Sequence, residues 1–241
     1  MCYETSNTKN REQVENYSKA VVSEVLGYKP NYHVSGFSKY TNQYIIPMEN
    51  KGLIFPTVWG LIPEFALNDP DTFSKKYNTL NAKRETLFSS IVYRESAKNK
   101  RCLILADGFF EPHKEGKVSI PYYCYIPTKE YEDGRDMFCF AGIYSEIGID
   151  LYSCSIITTE ANDFFSEIHN VKKRMPLVLD EGLKDEWLND GLKQNQVEEI
   201  MQNGFTSKEF NAYPVSRDLY KRDIDTNNPK ILNPVDNNSL F

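Results

Sequence analysis

The chain has 241 residues, a 40% apolar share that includes 16 Tyr and 14 Phe, and a net charge of −6. That length allows one large domain or two small ones, and that apolar share can bury a sizeable core. The negative total argues against nucleic-acid binding by bulk charge. No apolar run long enough for a membrane span and no signal-peptide pattern is visible, so a cytoplasmic protein with reduced thiols is expected.

The chain opens MCYE, with Cys2 in a polar stretch. Residues 11–26 place Val14, Tyr17, Val21 and Val25 on one helical stripe, and Gly27 follows as a C-cap. Next come short β-like runs with turn punctuation: NQYIIPM, GLIFPTVWGLIP, KRCLILADGFFEPHK, VSIPYYCYIP, DMFCFAGIYS and LYSCSIITT. Residues 85–93 read as a short helix, and Asn81 just ahead of it reads as an N-cap. EGK and EDGRD read as hairpin turns. TTEANDFFSEIH reads as a strand end followed by a helix that finishes near His169. DEGLKDEWLNDG and QVEEIMQNG are two further helices.

Strands are not separated by regular helical crossovers, which argues against a doubly wound parallel sheet. The expected class is α+β: a single domain with a twisted, mostly antiparallel sheet or partial β-barrel flanked by helices. It spans residues 1–220 and leaves a polar, partly irregular tail at 221–241. Cys102, Cys124, Cys139 and Cys154 lie in apolar runs and read as small buried hydrophobes. The odd cysteine count and the lack of any C-x-x-C pair give no disulfide framework. His33, His113 and His169 have unrelated spacings, so neither metal nor cofactor is expected.

Charge is distributed unevenly. Residues 81–101 hold six basic side chains against two acids, VKKR at 171–174 adds more, and residues 180–200 hold seven acids against two lysines. A polarised molecule can steer a polyanion to one face. In GFFEPHK, strict alternation puts Phe109 and Glu111 on one face and Phe110 on the other. A carboxylate among aromatics suits acid–base work, although the position by itself reads as a hairpin-edge Glu in water. His169 by itself reads as a helix-terminal imidazole facing the dipole, and Trp59 by itself as core.

Cys2, WGLIP (59–63), NAKRET (81–86), RCLILADGFFE (101–111), ITTEAND (157–163), IHNVKKRMPLVL (168–179) and YPVS (213–216) stand in an order that resembles the SRAP family. These are the SOS-response-associated peptidase-like proteins, which shield abasic sites by covalent attachment. The resemblance runs from residue 2 to about residue 216. It implies that Cys2, exposed by loss of Met1, is the nucleophile, with Asn81, Glu111 and His169 as the other catalytic residues. It implies a phosphate contact at Arg174. Lys83, Arg84, Lys172 and Lys173 read as basic groups that hold phosphates beside it, and Trp59 or Phe65 as a ring that stacks on a base or wedges at a junction. The partner it implies is single-stranded DNA containing abasic sites, bound by a monomer. The chain departs from the family pattern at Tyr3-Glu4, where an early arginine is usual, at Lys83 in place of arginine, and at Pro112 in place of tryptophan.

The chemistry suits those residue types. An N-terminal α-amine titrates near pH 7.7–8.0 and is substantially neutral near pH 7 compared with a lysine. It attacks the aldehyde of a ring-opened abasic sugar, and the thiol on the same residue closes a thiazolidine. Glu111 moves protons, Asn81 holds the terminus, and His169 protonates the sugar oxygen or catalyses β-elimination as a lyase. Two alternatives remain open: a cysteine or N-terminal-nucleophile peptidase that removes Met1 autocatalytically, and a non-catalytic nucleic-acid module whose binding survives Cys2→Ala.

Overall fold

The structure is a computed structural model that describes residues 2–24, 27–38, 42–221 and 223–235. Its first half runs β1 (Glu4–Asn7), α1 (Arg11–Ser18), β2 (Val21–Val22), β3 (Asn31–Ser35), β4 (Asn42–Pro47), β5 (Leu53–Trp59), α2 (Pro70–Lys76), β6 (Asn81–Lys83), α3 (Arg94–Asn99) and β7 (Arg101–Ala106). It continues β8 (Gly108–Glu115), β9 (Val118–Tyr125), β10 (Phe138–Gly148), β11 (Leu151–Glu160), α4 (Asp163–Ile168), β12 (Arg174–Pro176), α5 (Lys184–Trp187), α6 (Gln194–Asn203) and β13 (Asn211–Pro214). The class is α+β, as expected, with two mostly antiparallel sheets.

The larger sheet has the order β12-β11-β10-β7-β4-β5-β2 and also takes in β6 beside β11. β11 pairs antiparallel with β10 and parallel with β5 through Tyr152–Thr57, Ser153–Val58 and Cys154–Trp59. That second pairing bends β10, β7, β4, β5 and β11 into a partly closed ring and removes an open edge. β7 and the middle of β10 are buried on both faces, which explains their continuous apolar runs. The smaller sheet has the order β13-β9-β8-β1-β3.

β1 lies between β8 and β3, with Glu4 opposite Phe110 on one side and Ser35 on the other. This central insertion carries the N-terminal residues into the interior. Its far end is pinned by the buried Asp107, whose carboxylate accepts from the Ser6 hydroxyl at 2.7 Å and the Thr8 amide at 3.0 Å. Lys9, also buried, lies 3.5 Å from Asp107 and 2.6 Å from Asp133. β8 alternates as predicted. Phe109 packs in the main core, while Phe110 joins a second cluster with Tyr123, Val215, Leu219, Ile231 and Leu232. Gly108 is required there, because a Cβ would sit 2.1 Å from the Tyr123 hydroxyl.

Three local expectations need correction. The helix predicted over 11–26 stops at Ser18, and Lys19 turns left-handed at φ 57°. The Glu15 carboxylate then takes the Val22 amide at 2.9 Å and draws the chain into β2, beside β5. Gly27 adopts φ +69° but caps no helix, and Val25 lies outside the described residues. The helix predicted over 85–93 is a short 3₁₀ turn at Arg84–Thr86 followed by further turns, and the α-helix begins only at Arg94. EDGRD closes a small loop with one bridge between Pro127 and Arg135, but the strands it joins belong to different sheets.

Beyond residue 222 the described part of the tail is not loose. Ile231 and Leu232 are buried, the Tyr213 hydroxyl donates to the Leu232 carbonyl at 2.8 Å, and Val215 bridges Pro234. Among the described residues no helix is long and apolar enough to cross a membrane. The cysteines are all free and all buried.

Candidate active site

Four residues far apart in sequence meet at the N-terminal end of β1. Cys2 has 0% exposure despite its polar sequence context, because the strands on either side of β1 carry it inward. Burial, and then the nearby Glu111 carboxylate, push its thiol well above the ordinary range, so the sulfur is protonated near neutral pH.

Asn81 is the first residue of β6, which runs parallel to β11 with Asn81 opposite Ile156. It is therefore not an N-cap. Its side-chain N–H donates to the Cys2 carbonyl at 2.7 Å in a buried setting, and its own carbonyl accepts from the Tyr93 hydroxyl at 3.2 Å. Asn81 Oδ1 has no hydrogen-bond partner among the described residues.

Glu111 is fully buried on β8 and does not stand in water at a hairpin edge. Only the first half of the β8–β9 hairpin is interior, and the exposed residues lie past Pro112. Glu111 Oε2 is 3.0 Å from Nδ1 of His169. His169 follows the last residue of α4 at φ −87°, and its Nδ1 is also 3.0 Å from the Arg174 carbonyl. The Arg174 carbonyl facing Nδ1 assigns a proton to that nitrogen and leaves Nε2 as the ring atom turned away from that bond.

Two residues that sequence reasoning missed lock His169 in place. His113 Nδ1 lies 3.0 Å from the carbonyls of Glu167 and Ile168. Asn170 acts as a strand mimic: its Oδ1 accepts from the Lys114 amide at 3.0 Å and its Nδ2 donates to the Lys114 carbonyl at 2.9 Å. These bonds fasten the loop carrying the imidazole to the strand carrying the carboxylate. Their partners are backbone groups, which a sequence pattern does not reveal.

The basic residues surround this centre unevenly. Lys83, Lys172 and Lys173 are exposed. Arg84 donates to the Met201 carbonyl at 3.4 Å and lies 3.5 Å from Glu85. Arg174 grips Glu85 with two bonds of 2.7 and 3.0 Å and donates to the Thr158 carbonyl at 2.7 Å. A bidentate pair of this kind is directional, and it holds the Glu85 carboxyl below its usual range against the burial that opposes it. Phe65 is 59% exposed and meets Phe73 edge-on at 5.9 Å. Trp59 requires correction as a stacking residue. It is 3% exposed, and its indole N–H donates to the Leu80 carbonyl at 2.9 Å, so neither ring face is open to a base. Among the described residues no group of His, Cys, Asp and Glu side chains is arranged to hold a metal.

Cys2 with Asn81, Glu111 and His169 beside it, on a two-sheet α+β scaffold, points to the class of protein. Residues 1–222 match the family described as SOS response associated peptidase (SRAP), and the chain belongs to that family. It is similar to the abasic site processing protein YoaM of Bacillus subtilis (strain 168), at 31% identity over 197 residues, covering 78% of this chain and 79% of the relative. It is 31% identical over 200 residues to the abasic site processing protein YMR114C of Saccharomyces cerevisiae, covering 80% of this chain and 50% of the relative. Among solved structures, an X-ray structure of a Bacteroides thetaiotaomicron protein superimposes with a TM-score of 0.81 at 30% identity, covering 97% of this chain and 100% of that one. A Bordetella bronchiseptica protein shares the fold, with a TM-score of 0.68 at 21% identity, over 89% of this chain and all of its own.

Proposed function

We propose that this protein processes abasic sites by covalent capture, using Cys2 after removal of Met1. The observation that carries the reading is the convergence of Asn81 on the Cys2 carbonyl with the buried Glu111–His169 pair beside the same residue. Relatives named as abasic site processing proteins support the substrate.

The reaction runs in two bond-forming steps. The free α-amine of Cys2 adds to C1′ of the ring-opened sugar, and the carbinolamine loses water to give an imine. The Cys2 S–H then adds across the C=N bond, sulfur to carbon and proton to nitrogen, closing a five-membered thiazolidine. One water leaves in all, and no redox partner is needed.

The site's electrostatics set the order. The thiol is held protonated, so it does not compete as a thiolate and the amine attacks first. Glu111 receives a proton from the attacking amine and returns it to the departing hydroxyl. Asn81 Oδ1 is positioned to accept from a donor on the terminus or the carbinolamine, and His169, with its proton on Nδ1, is left to act as a base through Nε2. β-Elimination at the captured sugar is the accompanying lyase activity, with His169 as its base. Lys83, Lys172 and Lys173 hold phosphates of a single strand, and Phe65 covers a neighbouring base. Arg174 joins them by exchanging Glu85 for a phosphate.

Single-turnover mixing with an abasic oligonucleotide, read on a denaturing gel, tests the reading. A shifted band with wild type and none with Cys2→Ser or with intact oligonucleotide is expected. Equal adduct from Cys2→Ser, or turnover of a peptide with no DNA adduct, overturns it in favour of non-specific lysine chemistry or a peptidase.

A further inference from the structure

A cavity of about 820 Å³ opens on the outer face of the smaller sheet, immediately after Cys2 in the chain. Tyr3, Phe37 and Phe110 supply aromatic lining, with the Tyr3 and Phe37 rings 4.9 Å apart. Phe37 is 62% exposed at the cavity mouth, so its ring is open to a ligand. The polar end is built by Glu4 and His33. Glu4 Oε2 lies 2.7 Å from His33 Nε2, the Ser35 hydroxyl donates to Glu4 Oε1 at 3.1 Å, and His33 Nδ1 meets the Thr226 hydroxyl at 2.6 Å.

These features select a ligand class. Aromatic walls with an open edge suit a flat heteroaromatic ring. A carboxylate has about four acceptor positions, and the Ser35 and His33 contacts use two, so Glu4 still seeks N–H donors. An anionic group is disfavoured beside Glu4, and the lining residue Lys221 is already paired with Asp218 at 2.7 Å. Glu4 stands two residues from Cys2, about 7 Å along an extended strand. That length is comparable with one nucleotide step, the spacing needed between a sugar captured at Cys2 and a base beside Glu4.

We propose that this cavity receives the nucleobase next to the abasic sugar and favours a base with an exocyclic amine, such as adenine or cytosine, over thymine. An exocyclic amine donates to the Glu4 carboxylate, whereas O4 of thymine sets an acceptor against it. The proposal rests on the abasic-capture reading for the position of the strand, but the cavity's preference is separable from the chemistry at Cys2.

Single-turnover adduct formation is measured on abasic oligonucleotides carrying adenine, cytosine or thymine on each side of the lesion. In parallel, adenosine and thymidine are titrated against the protein while the His33 imidazole is followed by NMR. The expected result is about ten-fold faster capture with adenine or cytosine than with thymine on one side of the lesion. Adenosine, but not thymidine, should shift the His33 signals. Glu4→Gln, which both donates and accepts, should flatten the preference, and Phe37→Ala, a surface change with little risk to folding, should reduce it. Equal rates for all three bases together with no His33 response to adenosine overturn the proposal. If no adduct forms with any oligonucleotide, the Cys2 reading fails, and the adenosine titration alone decides the cavity: a His33 shift sustains it and silence ends it.

Discussion

Glu111→Gln separates electrostatics from structure at this site. Glutamine keeps the shape, and His169 Nδ1 keeps the Arg174 carbonyl 3.0 Å away, so the fold survives. A buried carboxylate also costs desolvation, which the neutral side chain avoids. Stability is therefore expected to stay within about 1 kcal/mol of wild type, a melting shift of roughly 2–4 °C at most for a chain of this size. The chemistry is not spared. Loss of a positioned acid–base group slows such steps by roughly 10²–10⁴-fold, or about 2.7–5.5 kcal/mol of barrier. A second readout is independent of DNA. Glu111 is the second cause, after burial, that raises the Cys2 thiol, so removing its charge must lower that thiol's titration point while leaving it above an ordinary cysteine. Adduct bands against time give the rate, and the ¹³Cβ shift of labelled Cys2 against pH gives the titration. Wild-type capture rates, or an unchanged thiol titration in a folded variant, refute the role assigned to Glu111.

Other outcomes follow from the same geometry. Asn81→Ala leaves the buried Cys2 carbonyl without its 2.7 Å donor, at a cost of about 1–3 kcal/mol; capture should slow by roughly ten-fold or more, and wild-type rates contradict the positioning role. Asn170→Ala releases the His169 loop from Lys114 and should flatten the pH–rate profile of capture with only a small change in melting temperature, whereas an unchanged profile means the loop needs no latch. Trp59→Ala removes a buried ring and should lose about 3–5 kcal/mol in chemical denaturation, while Phe65→Ala should leave stability near wild type and weaken binding of single strands; the reverse pattern contradicts their placement. Cysteine thiols at positions 2, 102, 124 and 154 are raised in the folded state by burial, and that of Cys139 is pushed up to about 11. Unfolded thiols titrate near 8.5, so the folded state keeps this stability below about pH 8.5 and loses it as pH rises toward 11 and beyond. A urea midpoint that does not fall between pH 8 and 11 contradicts it.

Much of the fold was legible because the strands announce themselves by apolar runs and alternation. Phe109 and Phe110 do enter different cores, and α4 does end beside His169. What stayed hidden is non-local. Cys2 looks exposed in a polar stretch, and it is buried because β8 and β3 flank β1. Asn81 looks like an N-cap, yet pairing with β11 makes it a strand residue whose amide faces Cys2. Glu111 looks solvated at a hairpin, although only the distal half of that hairpin reaches water. The helix over 11–26 failed for a similar reason: Glu15 serves the Val22 amide, and β5 recruits the residues after Lys19. His113 and Asn170 act on backbone groups 54 to 56 residues away and leave no local signature.

Intact mass of the purified protein, before and after incubation with an abasic oligonucleotide, meets the proposed chemistry head-on. A starting mass lacking Met1, followed by a species equal to protein plus oligonucleotide minus one water and absent for Cys2→Ser, is the predicted result. Retention of Met1 in a protein that still couples, or coupling that persists without the Cys2 sulfur and amine together, contradicts it.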